Sequence, residues 1–385
     1  SDRDSGIMGE RAGGQPGVPR RGLGVYPVSG PLAALGAGLV LLLKQATVGT
    51  LPAVPETAVS LVVLLFAFVT VFIALRHAEA IAHRIGEPFG TLVLALAVTA
   101  IEASVIVTVM LSGESNPALA RESVFSTVMI VCGGILGVCL TLGGLRHTHQ
   151  DLKRQGTSAL LAVVVALSVL TLVLPDYTLT TANGTFSDVQ LVFVSGLCLL
   201  LYGSFVFTQL TRHRDDFIDE QIPADHPDHV PATTNLGASL LLLGVALVGI
   251  VLLAEYVASR LEEGLAALHI GQTDAIVGAF IATLVLMPET ISAIRASMNN
   301  ELQRSLNIAL GSACATIGLT VPVVAAVSLM TGTELTLGLA TGDTVLLFLV
   351  LALSMISFGT GRTTVLTGMV HLVVFVAYVM LIAVP

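Results

Sequence analysis

Long apolar runs separated by short polar breaks fill the chain from residue 28 onward. Eleven runs are long enough, or nearly so, to cross a hydrocarbon layer of about 30 Å. They cover Val28–Ala46, Thr57–Ala80, Glu87–Ser112, Glu122–Leu145, Thr157–Leu174, Ser187–Leu210, Asn235–Val257, Thr273–Ser297, Ser305–Met330, Asp343–Phe358 and Thr363–Val384. The tenth is short. In lipid every backbone polar group must be paired within its own segment, so each run is predicted to be helical.

Composition agrees with this pattern. The chain has 385 residues, 54% hydrophobic and 11% charged, where a soluble domain carries about 25% charged. So apolar a chain must have lipid as its main solvent. The net charge of −9 is therefore read as acids held in loops and at helix ends, not as a nucleic-acid signal. Cys132, Cys139, Cys198 and Cys314 all fall within apolar runs, at spacings that fit neither a disulfide framework nor a zinc site. Residues 1–27 are rich in Gly, Pro and Arg and lack a signal-peptide apolar core, so a disordered cytoplasmic leader is expected there.

Basic residues give an expected orientation. With a cytoplasmic N-terminus and eleven crossings, only Lys44, Arg121 and Arg260 of the 17 Lys and Arg lie outside. That bias follows the positive-inside rule and places the C-terminus outside.

The chain also resembles itself. AEAIAHRIGE at 78–87 and AEYVASRLEE at 254–263 share Ala78/Ala254, Glu79/Glu255, Ala82/Ala258, Arg84/Arg260 and Glu87/Glu263. Each stretch ends one span and leads to another that carries an isolated acid, Glu102 or Glu289. A connector with Ala120-Arg121 or Gln303-Arg304 follows, and then a Gly-rich span. The repeat unit is five helices. Five is odd, so the copies must be inverted, an architecture typical of secondary transporters. The expected fold is an all-α polytopic membrane protein with an orphan first helix (28–46), repeat 1 (57–210), an acidic cytoplasmic linker (211–233) and repeat 2 (234–385).

Glu102 lies in LVLALAVTAIEASVIVTVML and Glu289 in IVGAFIATLVLMPETISAIRA. An unpaired carboxylate at that depth costs several kcal/mol unless it takes up a proton or a cation. A divalent cation stabilises the anion, so two such acids define an exchange site occupied by either protons or metal. Their combined charge matches Ca²⁺, which takes about 6–8 oxygen ligands. Thr99 lies one turn before Glu102 on the same face. Pro288 removes a helix hydrogen bond beside Glu289. The metal-site candidates are thus Glu102, Glu289 and Thr99.

Glu79, Glu255 and Glu87 are candidates for a proton or cation relay, the first two at opposite mouths. Glu87 and Glu263 also suit the start of the next helix, where an acid meets the positive dipole end. Asp343 is expected near the outer mouth. His371 is read as packed or hydrogen-bonded rather than as a relay. The acidic stretch 211–232 lacks the spacing and Gly of an EF-hand loop and reads as a solvated linker. No HExxH, GxSxG or intramembrane Asp pair is present, which argues against an enzyme. The internal repeat favours alternating access over a channel.

From about Arg76 to the C-terminus the sequence resembles the cation/calcium exchanger superfamily, specifically bacterial calcium–proton antiporters of the ChaA type. The stretches that carry the likeness are GEPFGTLVLALAVTAIE, MPETISAIRASMNNELQRSLNIALGS, TVPVV and SFGTGRTTVLTGMVHL. The resemblance implies an eleven-helix fold in a bacterial inner membrane, alternating access, no ATP use and no cofactor. Glu102 and Glu289 match the Glu of the superfamily's two repeat signatures. The signature's Gly-Asn falls on Val98-Thr99 and approximately on Val285-Leu286, so the chain departs at both Asn positions. Ca²⁺/H⁺ exchange is the leading expectation, with Na⁺(K⁺)/H⁺ exchange on the same acids as the alternative.

Overall fold

The computed structural model describes residues 26–46, 56–85, 89–112, 117–211, 236–267 and 272–384. Apart from residues 26, 27 and 211, the expected leader and acidic linker lie outside these residues. So do Glu87 and the side chain of Glu79.

Among the described residues eleven helical rods follow one another. They are α1 Tyr26–Ala46, α2 Glu56–Ile85, α3 Phe89–Ser112, α4 Leu119–His147, α5 Arg154–Tyr177, α6 Asp188–Leu210, α7 Leu236–Ala267, α8 Thr273–Met298, α9 Leu302–Thr331, α10 Thr341–Gly359 and α11 Val365–Ala383. Each expected span is a helix. The short tenth run gains its length at both ends. Local chemistry sets several boundaries. Ser187 and Gln190 form a reciprocal capping box at the start of α6. Gly332, at φ +70°, ends α9 in a left-handed cap.

Loop contacts fix the relative direction of the rods. Strand β1 (Gln150–Asp151), after α4, pairs antiparallel with β2 (Arg362–Thr363), after α10. At the same end Gln150 Nε2 donates to Ser297 O at 2.8 Å, and Lys153 N to Gln303 Oε1 at 2.9 Å. The α4–α5, α8–α9 and α10–α11 connections therefore share one face. A second set of backbone bonds joins Thr336 N to Pro117 O and Gly338 N to Gly184 O, both at 2.9 Å. These join the α3–α4, α5–α6 and α9–α10 connections. Shifting by five helices turns each member of one set into a member of the other. The two repeats therefore lie in opposite orientation.

Packing obeys the same symmetry. α2 lies on α7, α4 on α8 and α3 against α9, while α6 packs on α9 as α11 packs on α4. The orphan α1 rests on α7 and α2. Without a hydrophobic driving force between helices in lipid, close contact across small residues holds such bundles. A Cβ on Gly278 would stand 2.7 Å from Glu122 Cβ and 2.8 Å from its backbone, so α8 meets α4 almost backbone to backbone.

Three sequence expectations are corrected here. α7 continues more than three turns beyond Glu255, so Glu255 does not end its helix. Glu263 lies in the last turns of α7, not at the start of the next helix, and pairs with Arg260 at 2.7 Å. Polar residues satisfied by solvent and by i,i+3 pairing let the rod outrun its apolar stretch. Likewise Ala120-Arg121 and Gln303-Arg304 belong to the first turns of α4 and α9, not to connectors.

Candidate functional site

Glu102 is held in the middle of α3 and is 2% exposed. Thr99, one turn earlier, is also buried, and its hydroxyl donates to Ala95 O at 2.9 Å. Such back-bonding occupies the proton of a buried hydroxyl and leaves the oxygen's lone pairs as acceptors. Glu289 sits in α8 directly after Pro288, which is inside the helix. Proline has no N–H, so the Leu284 carbonyl loses its usual partner one turn back.

The acids are not equally served. Glu102 Oε2 accepts a 2.6 Å hydrogen bond from Thr316 Oγ1 of α9. Thr127 of α4 stands beside the same carboxyl. Glu102 Oε1 and Glu289 Oε2 are both buried without a hydrogen-bond partner. The two carboxyls share one electrostatic neighbourhood, since the charge on Glu102 acts on Glu289. Buried polar atoms are nearly always paired, so two unpartnered carboxylate oxygens are an exception that needs a chemical reason.

Thr316 opens a π-helical segment, Thr316–Thr320, in α9, and α4 contains another, Ile130–Ile135. Such insertions recur at functional sites. The α4 segment packs against α8, the helix that carries Glu289. Gly278 of α8 meets Glu122 of α4, and Ser297 Oγ of α8 donates to Cys139 O of α4 at 2.6 Å. The helices thus run parallel, and Glu289 falls level with about Cys132.

Among the described residues no group of three His, Cys, Asp or Glu is arranged as a metal cage. A cation held here would draw on the two carboxylates, hydroxyls, freed carbonyls and water. Of the other expected residues, Glu255 is half-buried on α7 and Asp343 is half-buried in the first turn of α10.

Two participants carry no mark in the sequence. Thr316 is one hydroxyl among many, and the only hint was the Gly-rich helix that follows each acid. Glu122, 5% exposed, pairs with Arg121 at 2.6 Å, while Arg121 Nη1 donates to Gly338 O at 2.9 Å. Asp274 and Asp343 are near enough to act on Glu122. This ion pair staples α4 to the α9–α10 connection at the face where Asp343 lies.

An inverted pair of five-helix membrane-spanning repeats is the architecture of a secondary transporter. The family model "Sodium/calcium exchanger protein" matches residues 55–211 and again 238–384, and the chain belongs to that family. The chain is 43% identical over 334 residues to the putative ionic transporter y4hA of Sinorhizobium fredii, covering 86% of this chain and 90% of that one. It is 36% identical over 349 residues to the sodium-potassium/proton antiporter ChaA of Escherichia coli, covering 89% and 93%. Its fold is similar to that of native YfkE, with TM-score 0.67 at 16% identity over 93% of this chain and 100% of that one. The H⁺/Ca²⁺ exchanger CAX gives TM-score 0.65 at 14% identity over 92% and 89%.

Proposed function

We propose that this protein is a secondary-active Ca²⁺/H⁺ antiporter whose exchange site is the Glu102–Glu289 pair. One observation carries the reading: two repeat-related carboxylates share a buried neighbourhood, each with an unpartnered oxygen. Leaving both acids ionised and empty in that setting is the costly state. One divalent ion neutralises both, and so does one proton on each. The site is then occupied by either cargo but not by both, and that exclusion is the physical basis of antiport. Thr316, Thr99 and the carbonyl freed by Pro288 supply further oxygens toward the number that Ca²⁺ takes. Alternating access follows from the inverted repeats, which present the same site to opposite faces in mirror-related arrangements. The bacterial relatives support a bacterial inner membrane, and the basic-residue bias supports an N-terminus in the cytoplasm.

Exchange of Na⁺ or K⁺ for H⁺ on the same acids is the second reading, favoured by the named activity of the Escherichia coli relative. Purified protein in sealed proteoliposomes separates the two. An imposed pH gradient should drive ⁴⁵Ca²⁺ movement that saturates with calcium and requires the gradient. Robust sodium or potassium movement with no calcium movement would overturn the calcium assignment. No proton-coupled flux of any of the three would overturn antiport itself.

A further inference from the structure

His371 is fully buried in α11, where no lipid-facing role explains it. Both ring nitrogens are engaged. Nδ1 lies 2.6 Å from Cys132 O in α4, and Nε2 lies 3.0 Å from Ser357 Oγ in α10. A carbonyl only accepts, so the Nδ1 proton must be present and is donated to Cys132 O. In the neutral ring Nε2 is then the acceptor, and the Ser357 hydroxyl donates to it.

The carbonyl that His371 reaches is an unusual one. Cys132 lies in the π-helical segment Ile130–Ile135, where the Leu136 N–H turns to Val131 O and Gly133 O. Leu136 is the donor that an unbroken α-helix would give to Cys132 O. The insertion thus withdraws a backbone partner, and a side chain from another helix replaces it. Close approach makes this possible. A Cβ on Gly137 would stand 2.8 Å from the Leu372 side chain, and one on Gly133 would stand 3.1 Å from Phe375 Cβ. The same segment is level with Glu289 across the α4–α8 contact, as set out above.

We infer that His371 is a positioning residue for exchange: its Nδ1–H holds the shape of the π-helical turn of α4, which packs on α8 at the level of Glu289. This rests on the reading of Glu289 as part of the site. In this arrangement the neutral ring links α4 to α10 through its two nitrogens.

The test uses two side chains that differ in where they place a donor. Asn puts its amide nitrogen near the position of Nδ1, and Gln puts it near Nε2. His371→Asn should keep at least half of the proton-driven flux, with an unchanged pH profile. His371→Gln should lose tenfold or more in maximal rate while remaining monodisperse in detergent. Equal losses in the two variants would overturn the assignment, and so would a pH profile displaced in His371→Asn.

A second measurement does not depend on transport. Solid-state ¹⁵N-histidine spectra in lipid, with the His371 signal identified by its loss in His371→Asn, should show a neutral ring protonated at Nδ1. An Nε2–H tautomer or an imidazolium would overturn the inference even if flux behaved as expected. If the unmodified protein shows no proton-coupled flux, the functional reading fails by itself, and the tautomer still decides the role of the ring.

Discussion

Glu102 and Glu289 occupy repeat-related places, but their surroundings differ. Thr316 of the second repeat reaches across to Glu102 with a 2.6 Å hydrogen bond. Counting from the matched Arg121 and Arg304, the equivalent of Thr316 in the first repeat is Gly133, which has no hydroxyl to offer Glu289. Instead the Cys132 carbonyl of that segment accepts from His371 Nδ1 at 2.6 Å. Inversion repeats the backbone architecture, with π-helical turns at matching places in α4 and α9, without repeating the chemistry. A hydroxyl bonds one acid directly, while in the matching turn of the other half a histidine bonds the backbone.

Variants that remove charge should hit both halves alike and hardest. Glu102→Gln and Glu289→Gln are each expected to lower proton-driven flux by about a hundredfold or more, because the site then lacks one of the two charges that a divalent ion or a proton pair neutralises. Near-normal flux in either, measured in proteoliposomes, would break the pairing.

The hydroxyl should matter in one half only. A hydrogen bond to a charged group is worth about 1.5–3 kcal/mol, so Thr316→Val should raise the apparent KM for the cation about tenfold or more. Thr316→Ser should restore it. Gly133→Ser, the mirror change, should give no matching gain, because a Cβ there is crowded by Phe375. A cation titration of the three variants checks this directly.

Packing variants should again treat the halves alike. Gly278→Val, pressed on the Glu122 backbone, and Gly318→Ala, pressed on Tyr202 Cβ at 2.7 Å, should each cost about 1–3 kcal/mol by overpacking. Thermal melting in detergent reads the loss. The smallest effect belongs to Arg362→Ala. Its partner Asp151 is 2.7 Å away, and both side chains are more than 70% exposed. Exposed pairs contribute about 0–1 kcal/mol, so melting and flux should barely change.

Much of this architecture was legible in the chain before any contact was known. The spans could be read because lipid requires long, unbroken apolar runs, and the inversion because an odd helix count between matched segments leaves no other arrangement. Glu102 and Glu289 stood out because a charge in such a run is expensive. Glu263 was misplaced because a helix leaving the bilayer is no longer constrained to be apolar, so hydropathy ends before the helix does. Thr316 and Glu122 escaped notice for another reason. Thr316 meets Glu102 across 214 residues of chain, and the pairing of Glu122 with Arg121 was hidden by uncertainty over where α4 begins.

The sequence by itself determined the number of helices, their inverted relation and the two acids, since each is a one-dimensional consequence of placing a chain in hydrocarbon. Only the tertiary structure decided which oxygen of Glu102 is bonded, which stays bare, and that a histidine on the last helix replaces a lost backbone partner on the fourth. Those choices depend on side-chain direction and on the extra residue in each π-helical turn. Neither leaves a periodic trace in the order of the amino acids.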